Sequence, residues 1–261
     1  MLNGFYNLEG YDCHNADLDA DIARSGENAR LSLIEKIAPK GSLLDFGAGA
    51  GHLLHVARER RWQSVSGIEL GAIARQQLIA QGFDVYDSLA SWREHAGKAD
   101  VITMVHVLEH LPAAPSTLDC IHDVIGESGA VFYVEVPNAD SLRARLAVSP
   151  LRPLWTASPE KYLAFPIHIF YFNPQSFRSF LQRHGFRILT MGTLGLGVEE
   201  LFARPTPSTD PDDARTAQHD GEPLPEMPRR SRTPAMIRST VKRVISSLRL
   251  GENLYAFCMA S

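Results

Sequence analysis

The segment Leu43-Leu44-Asp45-Phe46-Gly47-Ala48-Gly49-Ala50-Gly51 carries the strongest architectural signal in the chain. Ser42 to Phe46 is an apolar run interrupted by one acid, the pattern of a buried strand, and three alternating glycines break it into a tight turn. Glycines let the backbone turn sharply and approach a ligand with no Cβ in the way. A helix predicted over about 51–60 then offers free N–H groups and the positive end of its dipole. Several nucleotide-binding families share a strand, glycine turn and helix, so the spacing has to discriminate. A phosphate loop needs Gly-Lys-Ser/Thr, and this chain has Gly51-His52-Leu53. A dinucleotide fingerprint needs Gly-x-Gly-x-x-Gly, and the spacing here is Gly-x-Gly-x-Gly, with Asp45 at the strand end.

Working outward, strands and helices alternate. A helix is predicted over Glu27–Ala38, a strand over Ser64–Leu70, a helix over 71–81 and a short strand over Phe83–Tyr86. Asp100–Val107 reads as a strong apolar strand, followed by a helix over 114–125, the turn Glu127-Ser128-Gly129 and a strand over Ala130–Val136. Past an irregular stretch, a helix is expected over 174–184, a strand over Phe186–Gly192 and a last strand over Asn253–Met259. Such alternation implies a doubly wound, mostly parallel sheet with helices on both faces. Its strands then present their C-terminal ends at one edge, where ligands of such sheets bind. The second strand ends in Glu69, a carboxylate able to accept hydrogen bonds from both hydroxyls of a ribose, and Leu70 offers an apolar face for an adenine.

Composition narrows the function. The 261 residues carry a formal charge of −4 with a pI near 6.2, which argues against a general nucleic-acid binder. Cys13, Cys120 and Cys258 have no paired spacing, which suits a reducing cytoplasm. The N-terminus has neither a basic start nor an apolar run, and no stretch approaches the ~20 apolar residues of a membrane span. A soluble cytoplasmic protein is expected.

The chain resembles the class I S-adenosylmethionine (SAM)-dependent methyltransferases, whose first motif is an acid followed by Gly-x-Gly-x-Gly. Val107-Leu108-Glu109-His110, Val134-Glu135-Val136-Pro137-Asn138, Pro166-Ile167-His168, Phe172-Asn173-Pro174-Gln175-Ser176 and His184-Gly185-Phe186 are similar to motifs of a bacterial subgroup with Val-Leu-Glu-His after its fourth strand. The resemblance implies a Rossmann-like sheet of seven strands and a methyl transfer to an O or N atom of a small acceptor. It implies that Gly47, Gly49 and Gly51 line the methionine moiety of SAM, with Asp45 organising the turn. Glu69 would bind the ribose, Leu70 the adenine, and Asp87 with Ser88 the adenine amine, with a solvated loop acid as the competing reading of Asp87. Members of the subgroup often act on sugars or secondary metabolites, so a sugar-type acceptor is the first expectation. A prenylated quinone is the second, and a non-catalytic SAM-binding protein is a rival.

Methyl transfer from a sulfonium needs alignment and, for some acceptors, removal of a proton. The candidate bases are His106, Glu109, His110 and His168, with structural roles as the competing reading for each. His106-x-x-Glu109-His110 also fits a zinc-binding helix pattern, but His106 falls on a strand-like run, so no metal is expected. A lid is expected at about 139–170, with Trp155 and Tyr162 as lid or packing residues, completing a core over 1–203. Residues 204–251 read as a flexible linker plus a basic amphipathic helix over 235–249, inserted before a closing strand at 252–261. Ile237, Val241, Val244, Ile245 and Leu248 share one face of that helix, among seven Lys/Arg and no acid between Pro228 and Gly251. It could dock on the sheet, pair with another protomer or make a peripheral membrane contact.

Overall fold

The structure, a computed structural model, describes residues 20–147, 168–195 and 248–261. Seven strands form one sheet: β1 (Ser42–Phe46), β2 (Ser64–Ile68), β3 (Asp84–Tyr86), β4 (Val101–Val105), β5 (Val131–Pro137), β6 (Phe186–Leu194) and β7 (Asn253–Ala260). Their order is β3-β2-β1-β4-β5-β7-β6. Strands β1 to β5 are parallel, and β7 runs antiparallel between β5 and β6. Chain order reverses between β1 and β4, which is the switch point where an α/β sheet opens a crevice for a ligand.

The sheet is covered on both sides. Helices α1 (Ala20–Ile34), α2 (His52–Glu59) and α3 (Ala72–Ala80) serve one face, and α4 (Leu89–His95), α5 (Ala114–Ser128) and, later in the chain, α7 (Pro174–Arg183) serve the other. A short helix, α6 (Leu142–Ala147), lies between β5 and the undescribed residues. Strand alternation divides the core. Leu44, Ile102, Phe132 and Val134 pack with Trp92, Leu118, Ile121 and Phe177, while Leu43, Val101, Tyr133 and Phe257 pack with Leu31, Ile34, Leu54 and Leu78. Both faces of the central strands are therefore apolar, as buried parallel strands require.

Local chemistry fixes several boundaries. Asn173 caps α7 through its side chain, Ser176 returns the bond to the Asn173 N–H, and Pro174 fills a first-turn position whose N–H would have no partner. Gly129 ends α5 in the left-handed conformation at φ 71°.

Differences from the sequence reading are local. The first helix spans Ala20–Ile34 rather than 27–38, because the chain turns at Glu35–Ile37 before Pro39. Strand β4 stops at Val105, and Leu108–His110 forms a single 3-10 turn. Helices α4 and α6 were not anticipated. Helix α4 buries only Trp92, too little for a visible period. Residues 148–167, with Trp155 and Tyr162 of the expected lid, and 196–247, with the expected linker and most of the basic helix, lie outside the described residues. No helix among the described residues is long and apolar enough to cross a membrane.

Candidate active site

A cavity of about 570 Å³ opens at the C-terminal ends of β1, β2 and β4, a volume ordinary for a cofactor site. Asp45, Phe46, Gly47, Ala48 and Gly49 form its floor, Glu69 and Leu70 one side, and His106, Val107, His110 and Leu111 another. Gly26, Glu27 and Arg30 of α1 close the remaining side with His52. The turn requires its glycines. Gly47, Gly49 and Gly51 sit at φ 84°, 53° and 79°, and a Cβ on Gly47 would lie 2.4 Å from Val107 Cγ2. Glu69 braces the same turn: one carboxylate oxygen accepts from the Gly49 N–H at 2.8 Å and the other from the Gly71 N–H at 2.7 Å. A carboxylate has about four acceptor positions, so two remain for a ligand. Leu70 is 46% exposed, an apolar surface at the side of the cavity.

The cavity is acidic. Burial pushes the Asp45 carboxyl up to about 7, against the hydrogen bond its Oδ1 accepts from Thr103 at 2.6 Å, with Glu27 and Glu69 adding like-charge repulsion. Burial also raises Glu27, despite its contact with Arg30 at 2.7 Å. Glu27 Oε2 is buried with no hydrogen-bond partner among the described residues. An acidic cradle with an orphaned carboxylate oxygen suits a ligand that brings positive charge.

Behind the cradle runs a buried ionic network. Glu135, fully buried in β5, receives Arg30 on both oxygens at 2.7 and 2.9 Å, the Tyr133 hydroxyl at 2.6 Å and Asn253 Nδ2 at 2.8 Å. These donors, with His106, hold its carboxyl well below the usual range against the opposing effect of burial. His106 follows β4 with φ 54°, an uncommon conformation for a residue with a side chain, and its N–H donates to the Glu135 carbonyl at 3.0 Å. Its imidazole stands between two carboxylates, Nδ1 at 3.3 Å from Glu109 and Nε2 at 3.4 Å from Glu135. Burial acts to lower the His106 pKa, but these two contacts outweigh it and raise it to about 9.

A second, smaller cavity of about 260 Å³ adjoins the first, and Glu252 and Asn253 line both. Asn138, Arg143, His168, Phe170 and Tyr171 line it. His110 faces the larger cavity and His168 the smaller, and their rings meet edge-to-face with centroids 4.8 Å apart. Backbone bonds fix that meeting, because the Glu109 carbonyl accepts the N–H groups of Ile169 at 2.8 Å and Phe170 at 3.1 Å.

Comparison with known proteins now identifies the architecture. Residues 17–191 match the family described as a methyltransferase domain. The chain belongs to that family. This methyltransferase shares its fold with a SAM-dependent methyltransferase from Archaeoglobus fulgidus, at a TM-score of 0.53 and 19% identity over 91% of this chain and 94% of that one. It likewise resembles the magnesium protoporphyrin IX methyltransferase of Synechocystis PCC 6803 with bound SAM, at a TM-score of 0.52 and 11% identity over 100% and 95% of the two chains. Among curated relatives, the ubiquinone biosynthesis O-methyltransferase of Aeromonas salmonicida is 33% identical over 34% of this chain and 41% of its own length. That of Azoarcus is 35% identical over 35% and 42%. The chain spans about two fifths of the length of these relatives.

The chain carries a methyltransferase domain, and the residues of the cradle fit S-adenosylmethionine. The three glycines would admit the methionine moiety, Glu69 has acceptor capacity for ribose hydroxyls, Leu70 presents its side chain for adenine, and Asp45 and Glu27 supply negative charge toward a cation. Asp45, Gly47, Gly49, Glu69 and Leu70 line the cavity, and Gly51 caps α2 directly behind it. Asp87 and Ser88 are not on its wall: Asp87 is exposed, and the Ser88 hydroxyl caps α4 by accepting from the Ser91 N–H at 3.2 Å. Of the base candidates, His106, Glu109 and His110 gather after β4 and His168 joins them from the far side of the chain. Sequence reasoning missed Glu27, Arg30, Glu135 and Asn253. A carboxylate within the apolar run Val131–Pro137 was the one signal available for Glu135.

Proposed function

We propose that this methyltransferase moves the methyl group of SAM to a hydroxyl oxygen of a small ring-bearing acceptor, of the prenylated quinone class, held in the smaller cavity. The observation that carries the reading is the junction of the two cavities at the His110 and His168 rings, 4.8 Å apart. When bound, SAM supplies an activated methyl carbon: an O–CH₃ bond forms as the C–S bond breaks, its electron pair staying on sulfur. The residues of the chain have two tasks. They align the acceptor oxygen at the junction, and they ease the loss of its hydroxyl proton.

Phe170 and Tyr171 give the smaller cavity an aromatic wall, against which a flat ring can pack. The names of the curated relatives, O-methyltransferases of ubiquinone biosynthesis, support the same class. A peripheral membrane contact through residues 235–249 would bring the enzyme to such an acceptor. His106 takes a positioning role in this reading. With its pKa near 9 it is an imidazolium at neutral pH and has no lone pair for a proton, whereas His110 and His168 face the two ligands.

The test is SAH release by the full chain with SAM and a panel of hydroxylated rings, the same rings with isoprenoid tails, and free sugars, each product weighed by mass spectrometry. Methylation of a ring hydroxyl is expected. Preferential methylation of a sugar, or of a ring nitrogen, would overturn the assignment.

A further inference from the structure

Among the described residues, Glu109, His110 and His168 form the one group of three metal-capable side chains whose ligand atoms converge, all within 4.8 Å of one another. This trio differs from the His106-x-x-Glu109-His110 pattern in the sequence, since His106 is occupied between Glu109 and Glu135. Glu109 is 1% exposed, and its Oε2 has no hydrogen-bond partner among the described residues. A buried carboxylate oxygen without a partner is costly unless a cation or a donor completes it.

The surrounding contacts are those of a braced ligand set. His106 Nδ1 steadies the other Glu109 oxygen at 3.3 Å, and its Nε2 is held in turn by Glu135 at 3.4 Å. The Glu109 carbonyl receives the Ile169 and Phe170 N–H groups, so the residue that supplies the carboxylate also anchors the segment that supplies His168. Such outer contacts orient metal ligands. Two atoms bonded to one ion at ~2.1 Å lie no more than ~4.2 Å apart, so the widest pair, within 4.8 Å, must close by at least ~0.6 Å, which rotation of the half-buried imidazoles can supply.

We propose that Glu109, His110 and His168 bind one divalent first-row transition cation, of the Zn²⁺ class, whose open positions hold the acceptor's hydroxyl oxygen at the junction of the two cavities. Two imidazoles and one carboxylate are a mixed N/O set that suits Zn²⁺ better than Mg²⁺, which prefers oxygen throughout. Three protein ligands leave room for a ligand oxygen, whose proton the cation makes easier to lose. The hydroxyl proton passes to bulk water, and the oxygen attacks as its anion. The inference rests on the hydroxyl-acceptor reading above and adds the group that activates the hydroxyl.

The experiment is calorimetric titration of the chelator-treated full chain with Zn²⁺, with bound metal counted by mass spectrometry and SAM affinity measured on each sample as a check of folding. Wild type should take up one equivalent at micromolar Zn²⁺. Glu109→Gln and His168→Ala should each weaken that uptake by at least ~100-fold while SAM affinity stays within threefold. His122→Ala, a change on α5 where the imidazole packs against Gly185 and Phe186, should leave it unchanged. No uptake at micromolar Zn²⁺, or uptake indifferent to both trio variants, overturns the proposal. Metal-free protein that methylates a hydroxyl at the full rate overturns the cation's role and leaves the acceptor class standing. One equivalent bound to the trio with no hydroxyl methylated supports the site and counts against the acceptor class.

Discussion

Replacing Arg30 by methionine removes a guanidinium while keeping an unbranched stem of comparable length. In the native protein that guanidinium meets both oxygens of the fully buried Glu135 and one oxygen of Glu27, and its own side chain is 14% exposed. Burial acts to lower the Arg30 pKa, but the Glu135 contacts outweigh it and raise it, while Glu135 is pushed the other way, so both groups are charged at every working pH. Arg30→Met leaves Glu135 with Tyr133, Asn253 and His106 but without its main counter-charge, a type of change that costs ~3–5 kcal/mol. For a protein of this size that corresponds to a fall in Tm of roughly 6–20 °C. Urea denaturation monitored by circular dichroism measures it directly. The double variant Arg30→Met/Glu135→Gln removes both charges and should regain at least half of the loss. Because α1 also walls the cavity through Gly26 and Glu27, SAM affinity should fall with stability in the single variant. A loss below ~1 kcal/mol, or a double variant less stable than the single one, would refute the ionic account of this network.

Three further outcomes follow from the cradle. Asp45 has a carboxyl pKa raised to about 7, so its deprotonation opposes folding as pH rises from ~4 to 7 while favouring a cationic ligand; SAM should bind more weakly at pH 6 than at pH 8, by up to ~tenfold per unit below the pKa. Asp45→Asn should remove that pH dependence and raise Tm at pH 8 relative to wild type, which calorimetric titration and thermal melts would both report. Glu69→Ala deletes the carboxylate that braces Gly49 and Gly71 and faces the cavity; with charged hydrogen bonds worth ~1.5–3 kcal/mol each, SAM affinity should drop at least ~tenfold. Gly49→Val places a β-branched residue at φ 53° and should abolish SAM binding, and an unchanged titration would show that the turn is structural only.

Much of this arrangement was legible in the chain because its signals are local. The glycine turn, the carboxylate closing β2, the Asn-Pro-Gln-Ser cap of α7 and the isolated strand Asn253–Ala260 each declare themselves within a few residues. What could not be read depends on distance. Arg30, His106, Glu135 and Asn253 lie on four separate elements, and only the insertion of β7 beside β5 brings Asn253 to Glu135 and His106. His168 likewise reaches Glu109 through backbone bonds that no sequence spacing announces. The first helix was misplaced for a different reason: its first turns hold Asp21 and Arg24, which hide its start, and Ile37 extends the apolar period into a turn. Ser88 shows how one residue type serves two ends: its hydroxyl caps α4, a role that serine fills as readily as contact with a ligand.

His168 is where the cradle, the acceptor cavity and the Glu109 anchor meet, so His168→Ala separates binding from transfer. Calorimetry should find SAM affinity within threefold of wild type, and methyl transfer to the acceptor per SAM-bound enzyme should fall by at least ~10². Transfer within threefold of wild type would contradict the account, because the junction of the two cavities would then have no part in the reaction.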